Sequence, residues 1–174
     1  CGETSIVLAK AGARVTGVDI SRPMLARAKQ RAAESRIDAF DAIEADASER
    51  KFDATYDLLF SRFGVMFFAD ADAAFANLRK LLKPEGRIDL AVWGPPQQNP
   101  WMLEGMAVAR RHVELLAPVP RAPGPFAFED LDYMREILNG AGFQGVDIIA
   151  AKGLLAVGGP GATPNQAQQF ACNA

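Results

Sequence analysis

Apolar residues in this chain follow two patterns in turn. Short runs rich in β-branched residues give way to longer stretches in which apolar residues recur every three or four positions. The first stretch predicts a helix over Glu3–Ala11, with Ile6, Val7 and Ala11 facing inward and Gly12 as its stop. Arg14–Ser21 then predicts a buried strand: Val15, Val18 and Ile20 give it apolar character, and Asp19 closes it. Ser21 is placed to cap the following helix, Pro23 suits its first turn, and Met24, Leu25, Ala28 and Ala32 share one side of it up to Ala33. Ala42–Ala47 predicts a second strand ending in a carboxylate, Asp46. A third runs from Phe52 through Leu58-Leu59-Phe60 and ends at Ser61-Arg62-Phe63-Gly64. Phe75, Leu78 and Leu82 mark a helix over Asp70–Leu82, broken by Lys83-Pro84-Glu85-Gly86 before a strand over Arg87–Trp93. Strands alternating with helices predict an α/β fold, a parallel sheet with helices on both faces.

The texture changes between Gly94 and Phe128. Seven of the eleven prolines lie there (Pro95, Pro96, Pro100, Pro118, Pro120, Pro123 and Pro125). This segment holds one predicted helix, capped by Asn99, opened by Pro100 and lined by Met102, Leu103, Met106, Val113 and Leu116. A proline-bounded helix between two sheet elements predicts a lid or insertion. Beyond it, Leu131, Met134, Ile137 and Leu138 predict a helix over Glu129–Gly140, followed by a strand around Val146–Ala150. The tail carries a glycine-rich loop, Gly158-Gly159-Pro160-Gly161, and a short helix opened by Thr163 and Gln166 at capping-box spacing.

Composition narrows the function classes. With 174 residues, 49% apolar and 23% charged, the chain suits one soluble domain with its own core. A net charge of −2, with Lys and Arg scattered, argues against a nucleic-acid partner. No apolar run approaches the roughly 20 residues needed for a membrane span. Two cysteines, one at each end, indicate neither a disulfide framework nor a metal site, which fits a cytoplasmic setting.

Asp19 organises the candidate chemistry. A charge within so apolar a run is costly to bury, which places it at the strand's carboxyl end, facing the crevice where open α/β sheets bind ligands. Such a carboxylate either accepts hydrogen bonds from the two hydroxyls of a ribose or caps the turn that follows. The residue pattern by itself leaves both open.

Taken in order, these segments resemble the class I S-adenosylmethionine-dependent methyltransferases, in particular the small-molecule branch that includes ubiquinone- and menaquinone-type enzymes. Cys1-Gly2-Glu3-Thr4 resembles the end of the family's glycine-rich first motif. Gly17-Val18-Asp19-Ile20-Ser21 with Met24-Leu25 matches the second motif and Glu44-Ala45-Asp46-Ala47 the third. Ser61–Phe68 matches the exit of the family's fourth strand, and Leu82–Arg87 the turn before the fifth, where Glu85 stands in place of a usual glycine. The resemblance implies a Rossmann-like, mostly parallel sheet, one domain over residues 1–174, and a helical insertion (94–128) after the fifth strand. It also implies a fragment that begins inside the first motif, with a first strand and a last strand lying outside the chain.

The implied cofactor is S-adenosylmethionine and the implied partner a small-molecule acceptor, apolar or aromatic. By the same resemblance, Asp19 bridges the ribose hydroxyls, and Ile20 and Met24 flank the adenine ring. Asp46 accepts from the adenine amino group while the Ala47 N–H donates to a ring nitrogen. Gly2 lets the backbone approach the methionine part beside a helix N-terminus, and Ser61 lies near the sulfonium end. No residue stands out as a catalytic base. His112, the one histidine, neighbours Arg110 and Arg111 on the proline-bounded segment and reads as a surface residue. Phe63, Phe67, Trp93 and Trp101 read either as core or as the lining of an apolar acceptor pocket. Two competing functions share the acidic strand ends: a nicotinamide-dependent oxidoreductase and a non-catalytic domain of the same fold.

Overall fold

The computed structural model describes residues 1–53, 55–114, 117, 119–153, 161–166 and 169. Its elements follow the predicted order: α1 (Glu3–Lys10), β1 (Val15–Asp19), α2 (Arg22–Glu34), β2 (Phe40–Glu44), β3 (Tyr56–Arg62), α3 (Ala71–Lys80), β4 (Leu82–Ala91), α4 (Pro100–Ala109) and α5 (Leu131–Gly140). Single 3-10 turns sit at Val65–Phe67 and Pro96–Gln98.

The strands are parallel, as expected, but among the described residues they form two separate pairs rather than one sheet. β1 pairs with β2 in unbroken register from Val15↔Phe40 to Asp19↔Glu44. β3 pairs with β4, and no described strand lies between the pairs to continue the ladder. Lys83-Pro84-Glu85-Gly86 is the irregular part of β4: Tyr56 pairs with Leu82, yet Leu58, two residues on, pairs with Arg87. The predicted turn is therefore a bulge inside a longer strand. Gly86 is needed there, because a Cβ would meet the Tyr56 carbonyl oxygen at 2.9 Å.

The main core lies between β3–β4, α3 and α5. Phe75, Leu78, Met134, Ile137 and Leu138 are buried, as their spacing predicts, together with Met66, Leu82 and Phe143. Phe128, at the end of the proline-rich segment, is among the most buried side chains, and the Gly124 N–H donates to the Met66 carbonyl at 2.9 Å. The last residues of that segment thus belong to the core. The smaller half, α1 and α2 on β1–β2, buries Ile6, Leu25, Ala28 and Ala32. Asn77 on α3 ties the halves together by donating to the carbonyls of Ala47 (3.2 Å) and Arg50 (3.0 Å).

Several expectations need correction. Val7 and Ala11 are exposed, since α1 is covered only on the side that carries Ile6. Met24 is exposed too, because it lies in the first turn of α2, beyond the reach of the strands. Asn99 does not cap α4 with its side chain; its amide instead donates back to the carbonyls of Gly94 (3.1 Å) and Pro95 (3.0 Å). α4 ends at Ala109 and has no buried residue, so Leu103, Met106 and Val113 are exposed. Leu116 lies outside the described residues, as do Gly158, Gly159 and Pro160 of the glycine-rich loop. Val146 and Ile148 pack on the core while Asp147 and Ile149 face out, but among the described residues no strand pairs with this segment. The capping box at the tail is present, with the Gln166 side chain accepting from the Thr163 N–H at 2.9 Å. Among the described residues, no helix is long and apolar enough to cross a membrane.

Candidate functional site

The strand ends meet at one rim. Parallel pairing brings the carboxyl ends of β1 and β2 together, and likewise those of β3 and β4. α1 packs back against β1 after a short connection, so the start of α1 lies level with the end of β1. Arg62, the last residue of β3, forms an ion pair with Glu3 in the first turn of α1 at 3.2 Å. All four carboxyl ends therefore share one edge.

At that edge, two carboxylates are held in the same way. The Ser21 N–H donates to Asp19 Oδ1 at 2.8 Å, and the Ser48 N–H donates to Asp46 Oδ1 at 2.8 Å. Each carboxylate thus folds over the residue two positions on, which orients it without burying it. The Ser48 hydroxyl adds a 2.6 Å bond to the same Asp46 oxygen. That hydroxyl, and then the Ser48 N–H, holds the Asp46 carboxyl below the ordinary aspartate range. The two readings of Asp19 are therefore not exclusive. One of its oxygens caps the turn, and among the described residues the other accepts no hydrogen bond.

Glu44 lies directly opposite Asp19 in the ladder, a like-charge pairing that disfavours both. Arg22, at the start of α2, relieves it through a 2.8 Å bond to Glu44 Oε2. The hydrogen bond from Arg22 is the main reason that the Glu44 carboxyl lies below its usual range. Beside Asp19, Ile20 is 73% exposed and Met24 42% exposed, an apolar pair left uncovered at the rim.

Gly2 adopts φ 76° as the residue that caps α1, and a Cβ there would meet the Ala28 Cβ at 2.7 Å. Packing of α1 against α2 therefore requires a glycine here. Ser61 sits half-buried in β3, paired with Leu90. His112 is exposed, as its charged neighbours predict. Among the described residues, no group of acidic, His and Cys side chains is arranged to hold a metal ion.

Sequence reasoning missed the Arg22–Glu44 and Arg62–Glu3 pairs, which depend on tertiary placement. It also missed the backbone of Phe63, at φ 62°, where a bulky residue occupies the left-handed region. The Phe63 ring stacks on Trp93 with centroids 4.3 Å apart and planes 3° from parallel, and Trp101 stands at 62° to Trp93, 5.5 Å away.

β1 and β2, parallel and each ending in an acid beside an uncovered apolar pair, fit the class of nucleoside-binding α/β domains. Comparison with known proteins gives the family. Residues 1–89 match the methyltransferase domain family model, half of the chain. The chain belongs to that methyltransferase family, which argues against the nicotinamide alternative. Demethylmenaquinone methyltransferase of Thermus thermophilus is 37% identical over 89 residues, 51% of this chain and 40% of the relative. Nocamycin O-methyltransferase of Saccharothrix syringae is 29% identical over 125 residues, 68% of this chain and 44% of the relative. The chain thus spans less than half the length of these relatives. Phosphoethanolamine N-methyltransferase 2 of Haemonchus contortus, solved with phosphomonomethylethanolamine and S-adenosylhomocysteine, shares the fold. Its TM-score is 0.57 at 24% identity, over 83% of this chain and 31% of that one.

Proposed function

We propose that this chain forms the cofactor-binding part of a methyltransferase acting on a small-molecule acceptor, in the manner of the quinone- and natural-product-modifying relatives. The supporting observation is the juxtaposition at the rim. One oriented carboxylate, Asp19, closes β1 and a second, Asp46, lies two residues beyond β2, and Ile20 and Met24 beside the first are exposed although both are apolar.

This donor and acceptor set fits S-adenosylmethionine. Asp19 accepts from the ribose hydroxyls, and the Ile20 and Met24 side chains cover the faces of the adenine ring with polarizable apolar surface. Asp46 accepts from the adenine amino group and the Ala47 N–H donates to a ring nitrogen, which reads the edge of the base without requiring a net charge. Gly2, at the amino end of α1, lies where the partial positive charge of the helix favours the cofactor's carboxylate, and Ser61 borders the reacting end. Bound there, the cofactor supplies an activated methyl group, transferred to the acceptor by in-line displacement. The protein's part is to align the acceptor and exclude water. In this reading residues 1–174 are one domain of a doubly wound sheet, and the 94–128 insertion, ahead of its core-packed end at Gly124–Phe128, is a lid over the acceptor.

The test is transfer of isotope-labelled methyl from S-adenosylmethionine to a panel of phenols, naphthols and amines. Labelled product from at least one acceptor is the expected result, and no label in any product contradicts the reading.

A further inference from the structure

Arg22 breaks a local rule. It opens α2, whose first turn carries no acid, so its guanidinium sits at the end of the helix where the dipole disfavours a cation. Helix stability therefore does not account for it. Its Nε donates to Glu44 Oε2 at 2.8 Å and its Nη2 donates to Glu44 Oε1 at 3.3 Å, a two-point grip on the acid that closes β2. Both partners are exposed, and ion pairs in that setting add little to folding. What sets this pair apart is the residue beside it. Glu44 lies opposite Asp19, and the ladder runs on past them, because the Ala45 N–H donates to the Asp19 carbonyl at 3.1 Å. The two acids are thus cross-strand neighbours held in register. Asp19 has one oxygen on the Ser21 N–H, which leaves the other for a ligand.

We propose that Arg22 and Glu44 are positioning residues for the cofactor: each occupies the other, so that Asp19 keeps one oxygen oriented for the two ribose hydroxyls. This rests on the methyltransferase reading and adds two residues that act on the ligand only through Asp19. Without Arg22, Glu44 places a second, uncompensated negative charge beside Asp19, and the two carboxylates push apart. Without Glu44, the guanidinium turns to Asp19, three residues back along the chain, and takes the oxygen that the ribose needs. Either loss alone disturbs Asp19. Loss of both removes the intruding charge of each sign together.

The experiment is calorimetric titration of S-adenosylhomocysteine into the full chain, Arg22→Gln, Glu44→Gln and the double variant, with the unliganded melting temperature of each. The expected result is an affinity about fivefold or more weaker in each single variant, and within about twofold of the parent in the double variant. All four unliganded melting temperatures agree. Adenosine and 2′,3′-dideoxyadenosine locate the effect: the single variants lose affinity for adenosine, and not for the dideoxy compound, which offers Asp19 no hydroxyl. Unchanged affinity in either single variant, losses that persist in the double variant, or an equal loss with dideoxyadenosine overturns the positioning role and leaves the cofactor reading standing. A fall in melting temperature that tracks the loss of affinity makes the pair merely structural and overturns the proposal as well. If the parent chain binds neither S-adenosylhomocysteine nor adenosine, the cofactor reading itself fails and the proposal falls with it.

Discussion

Asp19 and Asp46 lie 27 positions apart, yet both are followed two residues later by a serine whose N–H grips one carboxylate oxygen at 2.8 Å. The same local chemistry is used twice, at the end of β1 and just beyond β2, and it fixes each acid over the turn that follows its strand. The two differ in strength. Asp46 also takes the Ser48 hydroxyl, which is the larger cause of its lowered pKa. A carboxyl depressed in the folded chain adds stability above the ordinary aspartate pKa, and that stability is lost as pH falls through the depressed value. Ser48→Ala removes the larger bond and leaves the N–H. The Asp46 titration, followed by NMR at the carboxyl carbon, then moves up toward the ordinary range. An unmoved midpoint would show that the hydroxyl does not hold the carboxylate.

Among the elements, the proline-rich turn before α4 depends on one buried amide. Asn99 is 9% exposed, and its side chain satisfies two carbonyls that the prolines around it cannot serve, since proline has no N–H to donate. Asn99→Ala leaves the Gly94 carbonyl short of a donor, while the Pro95 carbonyl keeps the Gln98 N–H at 2.9 Å, at a cost of about 1–3 kcal/mol. That lowers the melting temperature by about 2–10 °C in a chain of this size, while affinity for S-adenosylhomocysteine is unchanged. An unaltered melt would contradict the bonding described.

The element order was legible because the strands contain short apolar runs and the core helices carry apolar residues at regular spacing. Phe75, Leu78, Ile137 and Leu138 are buried where that pattern puts them. The same pattern misplaced Met24, since periodicity identifies a helix face but not how far the neighbouring layer extends along it. It also predicted a strand at Val146–Ala150, where the sidedness of a strand is present but, among the described residues, no partner strand is. At the rim, Asp19 was legible from its own run, because a carboxylate closing an apolar strand has few places to go. The strand expected over Ala42–Ala47 is instead found at Phe40–Glu44, so Glu44 closes it and Asp46 lies in the turn beyond. Arg22–Glu44 and Glu3–Arg62 join residues 22 and 59 positions apart. Those pairs depend on strand order and register, which no local pattern carries.

Over the whole molecule, the two strand pairs have unequal support. β3–β4 rests on a core of large side chains from α3 and α5, whereas β1–β2 is covered by α1 and α2 through Ile6, Leu25 and two alanines. The proposed cofactor contacts lie mostly on the weaker half, at Asp19, Ile20, Met24 and Asp46, so ligand binding there would stabilise the part of the chain with the least burial. The most direct test is calorimetric titration of S-adenosylhomocysteine into the 174-residue chain and into Asp19→Asn. The substitution keeps an oxygen for the Ser21 N–H but replaces the other acceptor oxygen with an amide. The account predicts one site in the parent chain, an affinity at least about tenfold weaker in the variant, as for loss of a hydrogen bond to a charged group, and an unchanged melting temperature without ligand. No binding to the parent chain, or equal binding to both, would contradict it.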